Sequence, residues 1–194
     1  YDIQEGKILV DGVDVRKYPF HQLRQKIGMV PQRAVLFAGT IAENMRWGKQ
    51  DATEEEMKRA LTIAQAWDFV EKLPKGLQSE VTQEGKNFSG GQRQRLTIAR
   101  ALVGRPDILI LDDSSSALDF ATDAALRRAL REETKAMTVL MVSQRASTIR
   151  DADQIVVLDD GKAAGVGTHQ QLMESCEVYR EICLSQLSAE EAAR

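Results

Sequence analysis

The stretch that most constrains this chain is Asn87-Phe88-Ser89-Gly90-Gly91-Gln92-Arg93-Gln94-Arg95, followed seventeen positions after Gly91 by Ile108-Leu109-Ile110-Leu111-Asp112-Asp113. Leu96, Ala99 and Leu102 or Val103 recur at helical spacing, so a helix opens at Gly90 or Gly91 and buries one apolar stripe. Arg105-Pro106 ends it. Four apolar residues running into two carboxylates describe a strand buried on both faces, as a parallel sheet requires. Open α/β sheets place ligands at the carboxyl ends of such strands. A helix headed by two glycines offers unpaired N–H groups and the positive end of its dipole to an anion. The pairing describes a phosphate and Mg²⁺ site on an α/β core.

The remaining chain supports that class. Gly6 to Val15 alternates around Asp11-Gly12, a hairpin signal. Gln22 to Lys26 reads as a short helix and Ile27 to Gln32 as a strand closed by Pro31. Thr40 with Glu43 forms a capping box, and Thr53 with the acids behind it starts a second helix through Ala60, Leu61 and Ala64. Residues 74–89 read as loop. Leu118 to Glu133 reads as a helix, Thr138 to Val142 as a second buried strand, and Asp159-Asp160-Gly161 as the turn of a hairpin. Residues 170–187 read as helical. The order predicts an α/β fold: a helical lobe at about 40–105, a core from 1–39 and 106–168, and C-terminal helices over 169–190.

Composition removes some function classes. A net charge of −3 gives no global attraction to nucleic acid or anionic lipid, so no nucleic-acid partner is expected. Arg93, Arg95 and Arg100 cluster, but inside the glycine-headed helix. No apolar run approaches the roughly 20 residues that span a bilayer, so the chain as given is expected to be soluble. Cys176 and Cys183, seven apart with no C-x-x-C, read as reduced packing residues.

A phosphate loop needs G-x-x-x-x-G-K-[ST]. Gly-Lys occurs at residues 6–7, 48–49, 85–86 and 161–162, followed by Ile8, Gln50, Asn87 and Ala163, never by Ser or Thr. Within these 194 residues there is no such loop.

Motif by motif, nearly the whole chain resembles the ATP-binding domain of ATP-binding cassette (ABC) transporters. Val30-Pro31-Gln32 is similar to the family's Q-loop, and residues 36–44 to the stretch that follows it in exporters. Phe88-Ser89-Gly90-Gly91-Gln92 resembles the LSGGQ signature, with Phe at its head. Ile108 to Asp112 resembles Walker B, Ser116-Ala117-Leu118-Asp119 the D-loop, Val142-Ser143-Gln144-Arg145 the switch, and Gly167-Thr168-His169 the family's G-T-H. The resemblance implies a P-loop NTPase-like parallel sheet with a helical lobe and a small antiparallel portion. It also implies an N-terminally truncated domain, Tyr1-Asp2 following the P-loop helix, with P-loop, adenine-stacking aromatic and transmembrane helices upstream. In such proteins two domains face head to tail, each ATP held between one P-loop and the other domain's signature helix.

Residue by residue, the resemblance assigns Ser89, Gly90, Gly91 and Gln92 to a partner's γ-phosphate, Asp112 to Mg²⁺ through water, and Gln32 to the same ion through its side-chain oxygen. Asp119 falls at the dimer seam. The implied cofactors are ATP and Mg²⁺. The implied partners are a second ATPase domain and the transporter's own membrane domain, at the cytoplasmic face.

Two positions depart from the family. After the Walker B Asp a Glu normally orients the attacking water; here it is Asp113, retracted by one methylene, about 1.5 Å. The switch residue is normally His; here it is Gln144, which donates but takes up no proton near neutral pH. Both fall on the catalytic apparatus while the signature is intact. That asymmetry resembles the degenerate-site half of heterodimeric exporters, with a nucleotide-gated dimerisation module as the alternative. Soluble family members in chromosome maintenance or translation are disfavoured: neither their long coiled-coil insertion nor a tandem cassette is present.

Overall fold

The computed structural model describes residues 3–133 and 136–192, without the side chains of 187–192. Tyr1-Asp2 lies outside the described residues. The chain divides into two compact units, residues 1–140 and 141–194. In chain order the first unit contains β1 (Leu9–Val10), β2 (Val13–Asp14), α1 (Phe20–Lys26), β3 (Ile27–Val30), β4 (Gly39–Thr40), α2 (Ile41–Arg46), α3 (Glu54–Ile63), α4 (Trp67–Val70), β5 (Glu80–Val81), α5 (Gly90–Leu102), β6 (Ile108–Asp112) and α6 (Phe120–Glu133). The boundary falls inside β7 (Thr138–Val142). The second unit continues with α7 (Ala146–Ile149), β8 (Ile155–Asp159), β9 (Lys162–Gly167), α8 (His169–Ser175) and α9 (Glu177–Ala192).

The α/β class read from the sequence is the one observed. β3 pairs in parallel with β6, Ile27 opposite Ile108 through Val30 opposite Leu111, and the sheet order is β3-β6-β7. Gly28 permits this placement. A Cβ there would lie 2.8 Å from both the Ala101 carbonyl oxygen and Pro106 Cγ, so only glycine lets β3 lie against the end of α5. The antiparallel portion comprises β1–β2, β4–β5 and β8–β9. At the first hairpin, Asp11 and Gly12 take φ of 50° and 77°, the positive values a two-residue turn demands.

Capping decides where the helices of the first unit begin. Thr40 with Glu43, Thr53 with Glu56, and Ser89 with Gln92 each exchange two hydrogen bonds across the first turn, satisfying donors the helix leaves open. Behind those caps, Ile41 and Met45 of α2, Met57 and Leu61 of α3, and Leu96 and Ile98 of α5 are buried where α2 and α3 pack on α5. Each such side chain contributes about 1.5–3 kcal/mol of burial. Asn44 holds the turn before α2, donating to the Phe37 and Thr40 carbonyls at 2.8 and 3.0 Å and accepting from the Phe37 N–H at 2.9 Å.

Three expectations need correction. Residues 74–89 are not all loop: Glu80–Val81 pairs as β5 with β4, and short 3₁₀ turns flank it. β6 is buried on one face only; Leu109 and Leu111 are buried, whereas Ile108 and Ile110 are half-exposed. β7 has no buried residue, Leu140 and Val142 being 52% and 51% exposed. Its apolar sequence reports a capacity for burial that no described element fulfils. The C-terminal helices are two, α8 and α9, separated at Cys176 by its extended φ of −119°.

In the second unit, β8 and β9 pair around Asp160-Gly161 with a bulge between Val157 and Leu158. Ile155 and Val157 face Leu172, Cys176, Tyr179 and Cys183, forming this unit's core. Both cysteines are free and buried, as packing residues are expected to be. Tyr179 keeps its hydroxyl paired with His169 Nδ1 at 2.9 Å, and burial pushes its pKa up to about 12.

Candidate functional site

The head of α5 is an exposed surface. Ser89 and Gly90 are exposed, with Gly91 and Gln92 half-buried. Ser89 Oγ accepts from the Gln92 N–H at 3.2 Å, and Gln92 Oε1 accepts from the Ser89 N–H at 2.9 Å. The Gln92 side-chain oxygen is therefore committed to its own helix start, leaving the Nε2 amide as the side-chain donor at this surface. Helix geometry leaves the Gly90 and Gly91 N–H groups without intrahelical acceptors. Arg93 steadies the approach, its Nη1 donating to the Phe88 carbonyl at 2.6 Å.

The two glycines have different reasons to be there. A Cβ on Gly91 would sit 3.2 Å from the Ala117 carbonyl oxygen and 3.9 Å from Leu118 Cδ2, so this glycine lets the D-loop lie against α5. A Cβ on Gly90 would meet nothing nearer than Arg93 Nη2 at 4.0 Å. Nor does Gly90 need positive φ. Nothing described within the chain demands glycine at 90, and that fits a backbone kept bare for a phosphate approaching from outside.

β6, the middle strand, delivers Asp112, half-buried, at its carboxyl end, and the chain turns sharply after it. Asp113 takes φ of 42°, with its carbonyl accepting from the Ser116 N–H at 3.3 Å and the Ser116 hydroxyl at 2.9 Å. Asp enters this left-handed region more readily than Glu, so the short acid suits the corner it occupies. Gln32 reaches across from the loop after β3, its Nε2 donating to Asp113 Oδ2 at 3.2 Å. The structure thus pairs Gln32 with Asp113 through its nitrogen and not through Oε1, the atom assigned to Mg²⁺. No group of three or more His, Cys, Asp or Glu side chains gathers among the described residues. One or two carboxylates completed by phosphate oxygens and water is the usual Mg²⁺ arrangement, and Asp112 beside Asp113 fits it.

Asp119 is exposed and caps α6: Oδ1 accepts from the Thr122 N–H at 2.9 Å and Oδ2 from the Thr122 hydroxyl at 2.8 Å. Those bonds from Thr122 hold its pKa below the ordinary carboxylate value. Gln144 lies in the second unit on the exposed turn after β7. Its carbonyl accepts from Gln186 Nε2 at 2.6 Å, while Gln186 Oε1 accepts from the Ala146 N–H at 2.8 Å. Within the first unit, then, Gln32 meets Asp113, and the D-loop backbone meets Gly91.

Sequence reasoning missed three contributors. The Ser89–Gln92 box was available, because its spacing is the one already read at Thr40. Arg93 on Phe88 and Gln186 on the switch turn carry no local signal. Arg95 and Arg100 are likewise spent on backbone carbonyls, of Gln65 at 2.7 Å and Val35 at 2.9 Å, so the basic cluster forms no outward stripe.

Comparison with known proteins gives the family. Residues 1–116 match the ABC transporter family model. An uncharacterised ABC transporter ATP-binding protein of Mycobacterium tuberculosis is 49% identical over 96% of this chain and 32% of its own length. A beta-(1→2)glucan export ATP-binding/permease protein of Rhodopseudomonas palustris is 44% identical over 100% of this chain and 32% of its own. A bacterial Atm1-family ABC exporter solved with ATP bound superposes with a TM-score of 0.91 at 39% identity, over 96% of this chain and 32% of that one. The chain spans about a third of the length of these relatives. With the family model covering more than half of its residues, the chain belongs to the ABC transporter family, as an ATP-binding domain of the kind exporters carry.

Proposed function

We propose that this chain is the ATP-binding portion of an ABC exporter, powering transport by Mg·ATP-driven closure against a second ATPase domain. The observation that carries the reading is Gly90: an exposed glycine at a capped helix start, with no steric need for glycine among its neighbours. Ser89 with the Gly90 and Gly91 N–H groups would hold the partner's γ-phosphate. Asp112 would hold Mg²⁺, and Asp119 would stand at the seam while capping α6. A helical lobe over residues 40–105 would move against the core, near Gln32 and residues 82–86, where the membrane domain docks at the cytoplasmic face.

Asp113 and Gln144 make this chain's own site the slow one. A base must come within about 2.6–3.2 Å of the proton it takes. The side chain of Asp113 is short, and its carboxylate already accepts a hydrogen bond from Gln32. A misplacement near 1 Å costs on the order of 100-fold in rate. The partner in this arrangement is a different subunit that supplies the competent P-loop and Glu. The test compares Asp113→Asn in the intact pair with the amide substitution of the partner's corresponding acid. The partner's substitution is expected to leave only the slow turnover of this chain's own site and Asp113→Asn to leave most of the total; equal losses would overturn the assignment.

A second reading, a nucleotide-gated dimerisation module without productive turnover, is favoured by the Gln32–Asp113 bond, since it engages the carboxylate read as the base. Residual hydrolysis in the pair when the partner's acid is neutralised separates the two.

A further inference from the structure

Gln186 makes two hydrogen bonds with one carboxamide, both to the backbone that carries Gln144. Nε2 donates to the Gln144 carbonyl at 2.6 Å and Oε1 accepts from the Ala146 N–H at 2.8 Å. The Arg145 N–H between them donates to Ser143 Oγ at 3.0 Å. Fixing the carbonyl of residue 144 fixes the 144–145 peptide plane, and fixing the N–H of 146 fixes the next one. The first of these planes contains the Gln144 Cα, so the tether fixes where the exposed Gln144 side chain departs from the backbone and leaves only rotation about the 144 Cα–C bond to turn it.

The tether has a rigid base. Tyr179 and Cys183, on the same helix, are buried in the core of this unit. Gln186 follows Cys183 by three residues and so shares its helix face.

We propose that Gln186 is a positioning residue for Gln144, holding the switch turn to the C-terminal helix so that the Gln144 amide is aimed before nucleotide arrives. The inference rests on Gln144 being the switch residue. It gives α9 a role in the chemistry beyond closing the core of its unit.

The experiment uses the intact exporter that carries this chain, with the partner's catalytic acid neutralised so that turnover reports the site holding Gln144. Gln186→Ala is expected to speed amide hydrogen exchange at Ala146 by about five- to tenfold, as loss of one hydrogen bond allows. It is expected to lower kcat by about tenfold while KM stays within about twofold, because misaim acts on the reacting geometry. Gln186→Glu keeps the length and the acceptor but not the donor, so protection at Ala146 is retained and kcat falls by a smaller factor. In a Gln144→Ala background, Gln186→Ala is expected to change kcat no further. Unchanged exchange at Ala146, or fully additive losses in the double variant, would overturn the proposal. If Gln144→Ala alone leaves kcat unaltered while Ala146 exchange responds to Gln186, the tether stands as geometry, but the switch reading and the positioning role both fall.

Discussion

Replacing Gly90 by Ala separates what the fold needs from what a ligand needs. The new Cβ has no neighbour closer than Arg93 Nη2 at 4.0 Å, and the backbone at 90 does not take positive φ. Under those conditions Gly→Ala stabilises by about 0.4–1 kcal/mol, chiefly by restricting the unfolded chain. For a chain of this size that is a rise of roughly 1–4 °C in melting temperature. At Gly91 the same methyl meets the Ala117 carbonyl at 3.2 Å, so the D-loop must yield. The melting temperature is therefore expected to rise less than for Gly90→Ala, because that carbonyl has to give by a few tenths of an ångström. Function should not follow stability. Gly90→Ala places a methyl where phosphate is to approach, and ATP turnover in the intact exporter should drop by on the order of 100-fold despite the firmer fold. Calorimetry on the variants and phosphate release from the assembled transporter provide the two readouts. A Gly90→Ala protein that is more stable and fully active would refute the phosphate reading; a less stable one would refute the picture of open space.

Other outcomes can be checked alongside. Ser89→Ala removes the hydroxyl that accepts from the Gln92 N–H and should lower stability by about 1 kcal/mol in denaturant titration. Asp119 has its pKa depressed by its bonds from Thr122, so the α6 cap contributes fully above the ordinary value of 3.8 and is lost as pH falls through the lower folded value. Acid titration by circular dichroism should show that loss in the native chain and not in Asp119→Asn. The 194 residues alone, lacking a phosphate loop, should bind Mg·ATP no tighter than about 10 µM, or about −7 kcal/mol, by isothermal titration. Pairing Asp113→Glu with Gln144→His should raise turnover at this chain's own site by up to about 100-fold, at some cost in stability from Glu at φ of 42°.

Much of the fold was legible because its signals are local. Caps at Thr40 and Thr53, the Asp11-Gly12 turn and the stripe of α5 each depend on residues within one or two turns of chain. The expectation at β7 failed for the complementary reason. Thr138 to Val142 is apolar enough for any interior, but burial needs a neighbour on each face, and composition cannot supply one. Where the C-terminal helices part, at Cys176, no proline or glycine marks the position, so the boundary is legible only in the structure.

The sequence by itself determined which groups could meet a phosphate and a metal: a serine and two glycines at a helix start, two acids at a strand end, an amide where the family has imidazole. Tertiary structure alone decided how each is employed. It assigned Gly91 to internal packing and left Gly90 free, and it committed the Gln92 oxygen to a cap. It also brought Gln32 onto Asp113 across 81 positions and Gln186 onto the switch turn across 42. Spacing along a chain fixes only contacts within a turn or two; partnerships between distant residues exist once packing has brought their backbones together.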